Sequence, residues 1–332
     1  CVLETEVISN GLDVFILNFG TQIDYLKQVA FFFIMLPVKI GLQLSVSPYT
    51  WGFELTPFLI TAYFIIMMLF ASWCFLKFSK DVAIGIILFS IFIYFGLTNM
   101  PWLPLILIYG LIGFKIGGLK LSLTIVASFL FITFTGVLPQ ALLSIYLCGI
   151  AVIISFILGS SLGIWAAHND KVSAFMRPIN DTMQTMPSFV ILIPFVMFFG
   201  IGEFTALLAI IAYAFVPAMR YTEHGLRNLP ETVIEAARMI GCSQTQLLWK
   251  VKIPLAMPVI MLGLNQTIMF GLAMLVIAAL VGTTGLGQLI YIGLSKADFG
   301  TGMISGVSIA LIAIIFDRTT QAWRIKLEKK TQ

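Results

Sequence analysis

The chain has 332 residues, 60% of them hydrophobic and only 10% charged, against roughly 25% charged in an average soluble domain. This excludes an ordinary soluble globule and implies an all-α, polytopic membrane protein, because the apolar residues come in runs that match a hydrocarbon slab roughly 30 Å thick. The net charge of +4 comes without a basic stripe interleaved with aromatics, so no nucleic-acid partner is expected.

The first thirty residues lack a basic region followed by an apolar one, and no cleavable leader is expected there. Between Gln22 and Gln43, a turn of 100° per residue gathers Asp24, Lys27, Gln28, Lys39 and Gln43 on one face. Leu26, Val29, Ala30, Phe33, Ile34 and Ile40 fall on the other, which predicts an amphipathic helix lying in the membrane interface. Pro37 and the long Lys39 side chain leave a snorkelling span open as the alternative.

Apolar runs then predict about nine spans: Pro57 to Phe78, Val82 to Thr98, Pro101 to Phe114, Leu119 to Leu138, Gln140 to Ala167, Met186 to Ile201, Phe204 to Tyr221, Pro258 to Val281 and Met303 to Ala322. The third and sixth are short for a bilayer. Residues 1–56 read as an N-terminal segment with its amphipathic helix, 57–138 as accessory transmembrane helices, 139–323 as the main bundle, and 324–332 as a basic tail.

One choice of sidedness gathers the basic residues. With the C-terminus cytoplasmic, Lys and Arg from Lys77 to Lys330 fall inside and only Lys296 falls outside, leaving Lys27 and Lys39 unassigned. This is the charge asymmetry of a multi-pass plasma (inner) membrane protein. Cys1, Cys74, Cys148 and Cys242 show no paired spacing, and neither a disulfide nor a metal site is expected.

The single long polar interior loop runs from Arg220 to Met257. Pro230 suits a first helical position and Glu231 a first turn, and Gly241 supplies a left-handed stop. Ser243 and Gln246 form a capping box for a second helix, which Pro254 and Pro258 are expected to end. Ala236 and Ala237, beside Glu235 and Arg238, leave one side of the first helix flat, a surface another protein can approach closely.

This loop resembles the cytoplasmic signature of permease subunits of ABC importers with the type I fold: EAA, three residues, G, nine residues, then I-x-L-P. Here it reads Glu235-Ala236-Ala237, Gly241, and Val251-Lys252-Ile253-Pro254, with Val for Ile and Ile for Leu. The stretches Leu162-Gly163-Ile164-Trp165, Met183 to Phe189, Pro254 to Pro258, Asn265-Gln266-Thr267, Gly285-Leu286-Gly287 and Asp317-Arg318 resemble the glycine betaine/proline betaine group within that family. The resemblance covers about Met100 to Gln321 and identifies 139–323 as the permease core, with its coupling loop at 220–257.

The resemblance implies a non-catalytic membrane subunit with no cofactor of its own. A second copy of the chain would enclose the path, and two ATPase subunits carrying ATP and Mg would dock at Glu235, Ala236, Ala237, Gly241, Val251, Ile253 and Pro254. A separate extracytoplasmic binding protein would deliver the solute. The chain itself lacks GxxxxGK[ST], and Gly282 to Gly287 reads as a tight turn or outer gate rather than a phosphate cradle.

A betaine pairs a quaternary ammonium with a carboxylate, so aromatic faces and hydrogen-bond donors are needed along its path. Phe189, Phe195, Phe198, Phe199, Tyr213 and Phe215 are aromatic candidates. Gln184, Thr185, Pro187 and Ser188 border a proline-interrupted helix start, and Asn265, Gln266 and Thr267 lie within a span, where helix-to-helix hydrogen bonding is the competing account. His168 and His224 read as solvated loop residues without metal spacing. Choline, carnitine, ectoine or taurine remain alternative cargoes, and an ion-coupled carrier the alternative class, although intramembrane charges near the centre of the bilayer are lacking.

Overall fold

The computed structural model describes residues 19–44, 61, 64, 65, 68 and 102–331, and these are helices joined by turns. The expected spans Pro57 to Phe78 and Val82 to Thr98 lie outside the described residues, apart from four isolated positions.

Helix α1 covers 19–44, with a π-helical stretch at Phe31–Met35 leading into Leu36–Leu44. Pro37 has no N–H for the carbonyl one turn earlier, and the wider π turn just before it reroutes the ladder, with Leu36 N–H reaching Phe31 O. Met35 is fully buried where α1 packs on the bundle.

Residues 102–117 (α2) and 119–134 (α3) are one helical stretch broken at Gly118, whose φ of 76° and ψ of −165° are not helical. The two rods fold back on each other. Tyr109 stacks on Phe129 with ring centroids 5.1 Å apart, and a Cβ on Gly110 would lie 2.9 Å from Val126. Each rod is about 24 Å long, short of the roughly 30 Å hydrocarbon core.

The main bundle follows: α4 (Leu138–His168), α5 (Asp170–Thr185), α6 (Ser188–Phe199), α7 (Glu203–Arg227), α8 (Glu231–Met239), α9 (Gln244–Val281), α10 (Leu286–Ser295) and α11 (Phe299–Thr331). Among the described residues, five helical stretches are long and apolar enough by length and composition to cross a bilayer, the folded-back α2–α3 stretch counted as one of them, or six if the α5–α6 pair, bent by 104°, crosses once. Helix α5 is amphipathic rather than apolar, so a search for apolar runs passes over it. Helix α11 continues through the basic residues of 324–331.

Helices α4, α7 and α9 pack along their lengths as the centre of the bundle. Small residues allow this approach: a Cβ on Gly159 would meet Ala218 Cβ at 2.6 Å and Phe215 O at 2.8 Å, and one on Gly163 would meet Met219 O at 2.6 Å. Gly159 and Gly163 are four residues apart on one face of α4, the spacing that lets membrane helices touch backbone to backbone. Leu142, Leu147, Ile210, Met219, Met274 and Leu286 fill the interior between these helices.

One expectation for the coupling loop is corrected. Its second helix does not end at Pro254 but continues as α9 over 38 residues, about 57 Å. A π-helical stretch at Leu247–Lys252, with Ile253 N–H bonded to Leu248 O, absorbs the register change ahead of Pro254, which then occupies a first-turn position of the following α-helical segment. Pro230 is the N-cap of α8, one place earlier than expected.

Candidate functional site

The hairpin of α8 and the start of α9 projects from the bundle end where α7 finishes at Arg227. Its turn is tightly defined: Gly241 has φ 86°, its N–H bonds to Arg238 O at 2.9 Å, and Cys242 N–H bonds to Ala237 O at 3.2 Å. These two bonds are the Schellman arrangement that satisfies the last carbonyls of α8. Ser243 and Gln246 then cap α9 reciprocally, at 3.0 and 3.3 Å.

Ala237 and Leu247 are buried where the two limbs meet, while Glu235 and Ala236 face outward. Around them the hairpin presents apolar side chains to the exterior: Met239 is 90% exposed, Ile240 84% and Trp249 62%. Val251 and Ile253 are partly buried, and Pro254 is exposed at the point where α9 enters the bundle. Glu235 has no ion-pair partner among the described residues.

Beside the hairpin, a cavity of about 640 Å³ opens between α5 and α7. Arg220 bridges Asp181 and Gln184 across it. At the end of α7, Arg227 bonds Asp170 at 2.8 Å, Glu223 at 3.0 Å and Ala166 O at 2.7 Å, and Ser173 donates to Glu223. Gln184 is thus placed in a charged network, and the Thr185 hydroxyl turns back onto Asp181 O. Pro187 caps α6, and Ser188 opens it. Phe189 is half exposed on the same turn.

Asn265, Gln266 and Thr267 are not brought to this cavity. Asn265 is buried between α9 and α11, donating to Asp317 at 2.9 Å and accepting from Thr320 at 2.7 Å. Gln321 donates to both oxygens of Asp317 at 2.8 Å, so among the described residues amides rather than a cation hold this carboxylate. Thr267 is fully buried and bonds Gly263 O, and Gln266 is partly exposed. Among the aromatics, Tyr213 stacks on Phe270 and Phe199 meets Phe204 edge-on. His168 bonds Ile164 O and His224 meets Asn228.

A second polar cluster escaped the sequence reading because its members come from four separate elements. Glu203, the first residue of α7, accepts from Lys39 of α1 at 2.5 Å, from Thr284 at 2.8 Å and from Tyr146 of α4 at 3.1 Å. The only signal in the sequence was a lone acid opening an apolar run. Thr284 belongs to the Gly282 to Gly287 turn, where Gly282 has φ 80° and Leu286 N–H donates to Ser144 at 2.8 Å. The amide at the start of α10 is therefore spent within the fold.

Comparison with known proteins places this arrangement. Residues 159–322 match the family described as "Binding-protein-dependent transport system inner membrane component". The chain is 40% identical over 226 residues to the glycine betaine/proline betaine transport system permease protein ProW of Escherichia coli K12, covering 68% of this chain and 64% of that protein. It is 36% identical over 266 residues to the glycine betaine transport system permease protein OpuAB of Bacillus subtilis 168, covering 79% of this chain and 94% of that one. The chain thus spans less than two thirds of the length of ProW. In fold, it superposes on a subunit of the inward-facing MetNI methionine ABC transporter with a TM-score of 0.54 at 18% identity, over 59% of this chain and 97% of that one. With the helical bundle, the capped hairpin of α8 and α9 and a 36% identical relative matched over nearly its whole length, the chain belongs to the binding-protein-dependent inner membrane components, the permease subunits of ABC importers.

Proposed function

We propose that this chain is the permease subunit of an ATP-driven importer for a small compatible solute, glycine betaine or proline betaine. The observation that carries the reading is the hairpin itself. Its exposed Met239, Ile240 and Trp249 accompany Glu235 and Ala236 of α8, which the turn at Gly241 ties to α9, the helix that runs on into the bundle. A push on α8 reaches α9 through the hydrogen-bonded turn at Gly241 and the buried contact of Ala237 and Leu247.

In this reading two ATPase subunits, which hold ATP and Mg, dock on Glu235, Ala236, Ala237 and Gly241, with Val251, Ile253 and Pro254 carrying the motion into α9. A second copy of the chain completes the path, and an extracytoplasmic binding protein supplies the solute. About nine spans, two of them within 57–98, and α1 lying at the membrane surface complete the topology, with the C-terminus in the cytoplasm. Gln184, Thr185, Pro187, Ser188, Phe189 and Gln266 border the path, while Asn265 and Thr267 hold its wall through the contacts described above.

The test is uptake of labelled glycine betaine in cells lacking their own osmolyte carriers, supplied with this permease, its ATPase and its binding protein. Choline, carnitine, ectoine and taurine serve as competitors. ATPase-dependent betaine uptake is the expected result. Uptake indifferent to an inactive ATPase would overturn the class, and preference for another solute would overturn the cargo.

A further inference from the structure

The Glu203 cluster lies at the opposite end of the bundle from the coupling hairpin, and α9 joins the two. This helix starts at the hairpin and ends at Val281, immediately before the turn that carries Thr284. The turn is seated on α4 as well, since a Cβ on Gly285 would meet Ser144 Oγ at 2.6 Å. Lys39 and Glu203 are only 20% and 14% exposed, and removing one partner of such a buried pair leaves the other charge uncompensated. The pair, with buried Met35, holds α1 against the bundle.

We propose that Lys39, Tyr146, Glu203 and Thr284 form a latch by which α1 restrains the turn at the far end of α9, and that Thr284 leaves Glu203 when ATP-driven movement displaces α9. Hydrogen bonds of 2.8 and 3.1 Å do not survive a slide of about 1 Å, so the latch has two discrete states rather than a graded one. Lys39 and Tyr146 lie outside the segment that matches the family, residues 159–322. The N-terminal helix therefore contributes a charge to the moving core.

This inference rests on the permease reading, and the experiment separates the two. Complexes reconstituted with ATPase and binding protein are assayed for hydrolysis with and without solute. A wild-type complex without ATP-driven uptake would count against the permease reading alone. Thr284→Val and Tyr146→Phe each delete one hydroxyl donor at nearly constant shape, and Glu203→Gln removes the charge. Thr284→Val and Glu203→Gln are expected to raise solute-free hydrolysis about two- to tenfold, the equilibrium shift of one net hydrogen bond. Lys39→Met is expected to add nothing once Glu203→Gln is present. Unchanged solute-free hydrolysis in Thr284→Val and Glu203→Gln would overturn the latch. Should Glu203→Gln fail to accumulate, the milder Thr284→Val decides alone.

Discussion

The turn at Gly241 offers the most direct test of the coupling hairpin. Its φ of 86° lies in the left-handed region, and no atom stands within 4 Å of where a Cβ would be, so a substitution there meets conformational cost without a clash. That cost is about 1–2 kcal/mol for an ordinary L-residue, worth a factor of about 5 to 30 in a local equilibrium. Asparagine tolerates the left-handed region, whereas a β-branched residue does not. Ala237 and Leu247 are buried where the limbs meet, while Met239 and Ile240 beside the turn are largely exposed and add little packing of their own. Gly241→Val is therefore expected to lower the apparent affinity for the ATPase by up to that factor, and Gly241→Asn by much less. Co-purification of untagged permease on a tagged ATPase reads the difference, with membrane levels of permease as control. Equal recovery of Gly241→Val and wild type would refute the role given to the turn.

Other perturbations are specific to single contacts. Glu235→Lys reverses the charge of an exposed position in the proposed docking surface and is expected to abolish ATPase recovery while permease levels in the membrane stay normal. Gly163→Ala places a Cβ 2.6 Å from Met219 O, whereas Gly149→Ala on the same helix meets nothing within 4 Å; the first should lose about 1–3 kcal/mol, seen as a lower thermal midpoint in detergent, and the second should not. Asn265→Leu strips a donor from Asp317 and an acceptor from Thr320, with an expected loss of about 1–3 kcal/mol that Asp317→Leu in the same chain should partly restore; strict additivity of the two would remove the network. The Thr301 hydroxyl and amide hold the Asp298 carboxyl below its ordinary value at the start of α11. This contribution is present above the ordinary carboxylate range and lost as pH falls through the lowered value, so Asp298→Asn should alter thermal stability the same way at pH 6 and pH 8.

Much was legible in the sequence, because the bilayer imposes its demands locally. Apolar runs marked α4 at both ends and one end each of α7, α9 and α11, whose other ends run past the expected bounds through polar residues, and the spacing of Ser243 with Gln246 and the place of Gly241 encoded the caps directly. The signature around Glu235 was legible for the same reason: its residues lie within one short stretch of chain. What the one-dimensional pattern misjudged was continuity at Pro254, which read as a stop, yet a π turn ahead of it lets α9 continue. The break between the apolar runs ending at Phe114 and starting at Leu119 was legible, and it falls at Gly118.

Contacts between distant residues were decided only by the tertiary structure. Asn265 is spent on Asp317 and Thr320, Gln184 on Arg220, and Glu203 on Lys39, Tyr146 and Thr284, pairings separated by 36 to 164 residues. Periodicity places a polar residue on a face of its own helix, but it carries no information about which face of another helix will satisfy it. In an apolar bundle that choice follows from where glycines such as Gly159 and Gly163 let helices touch, because a buried polar group must find its partner within the packing that results.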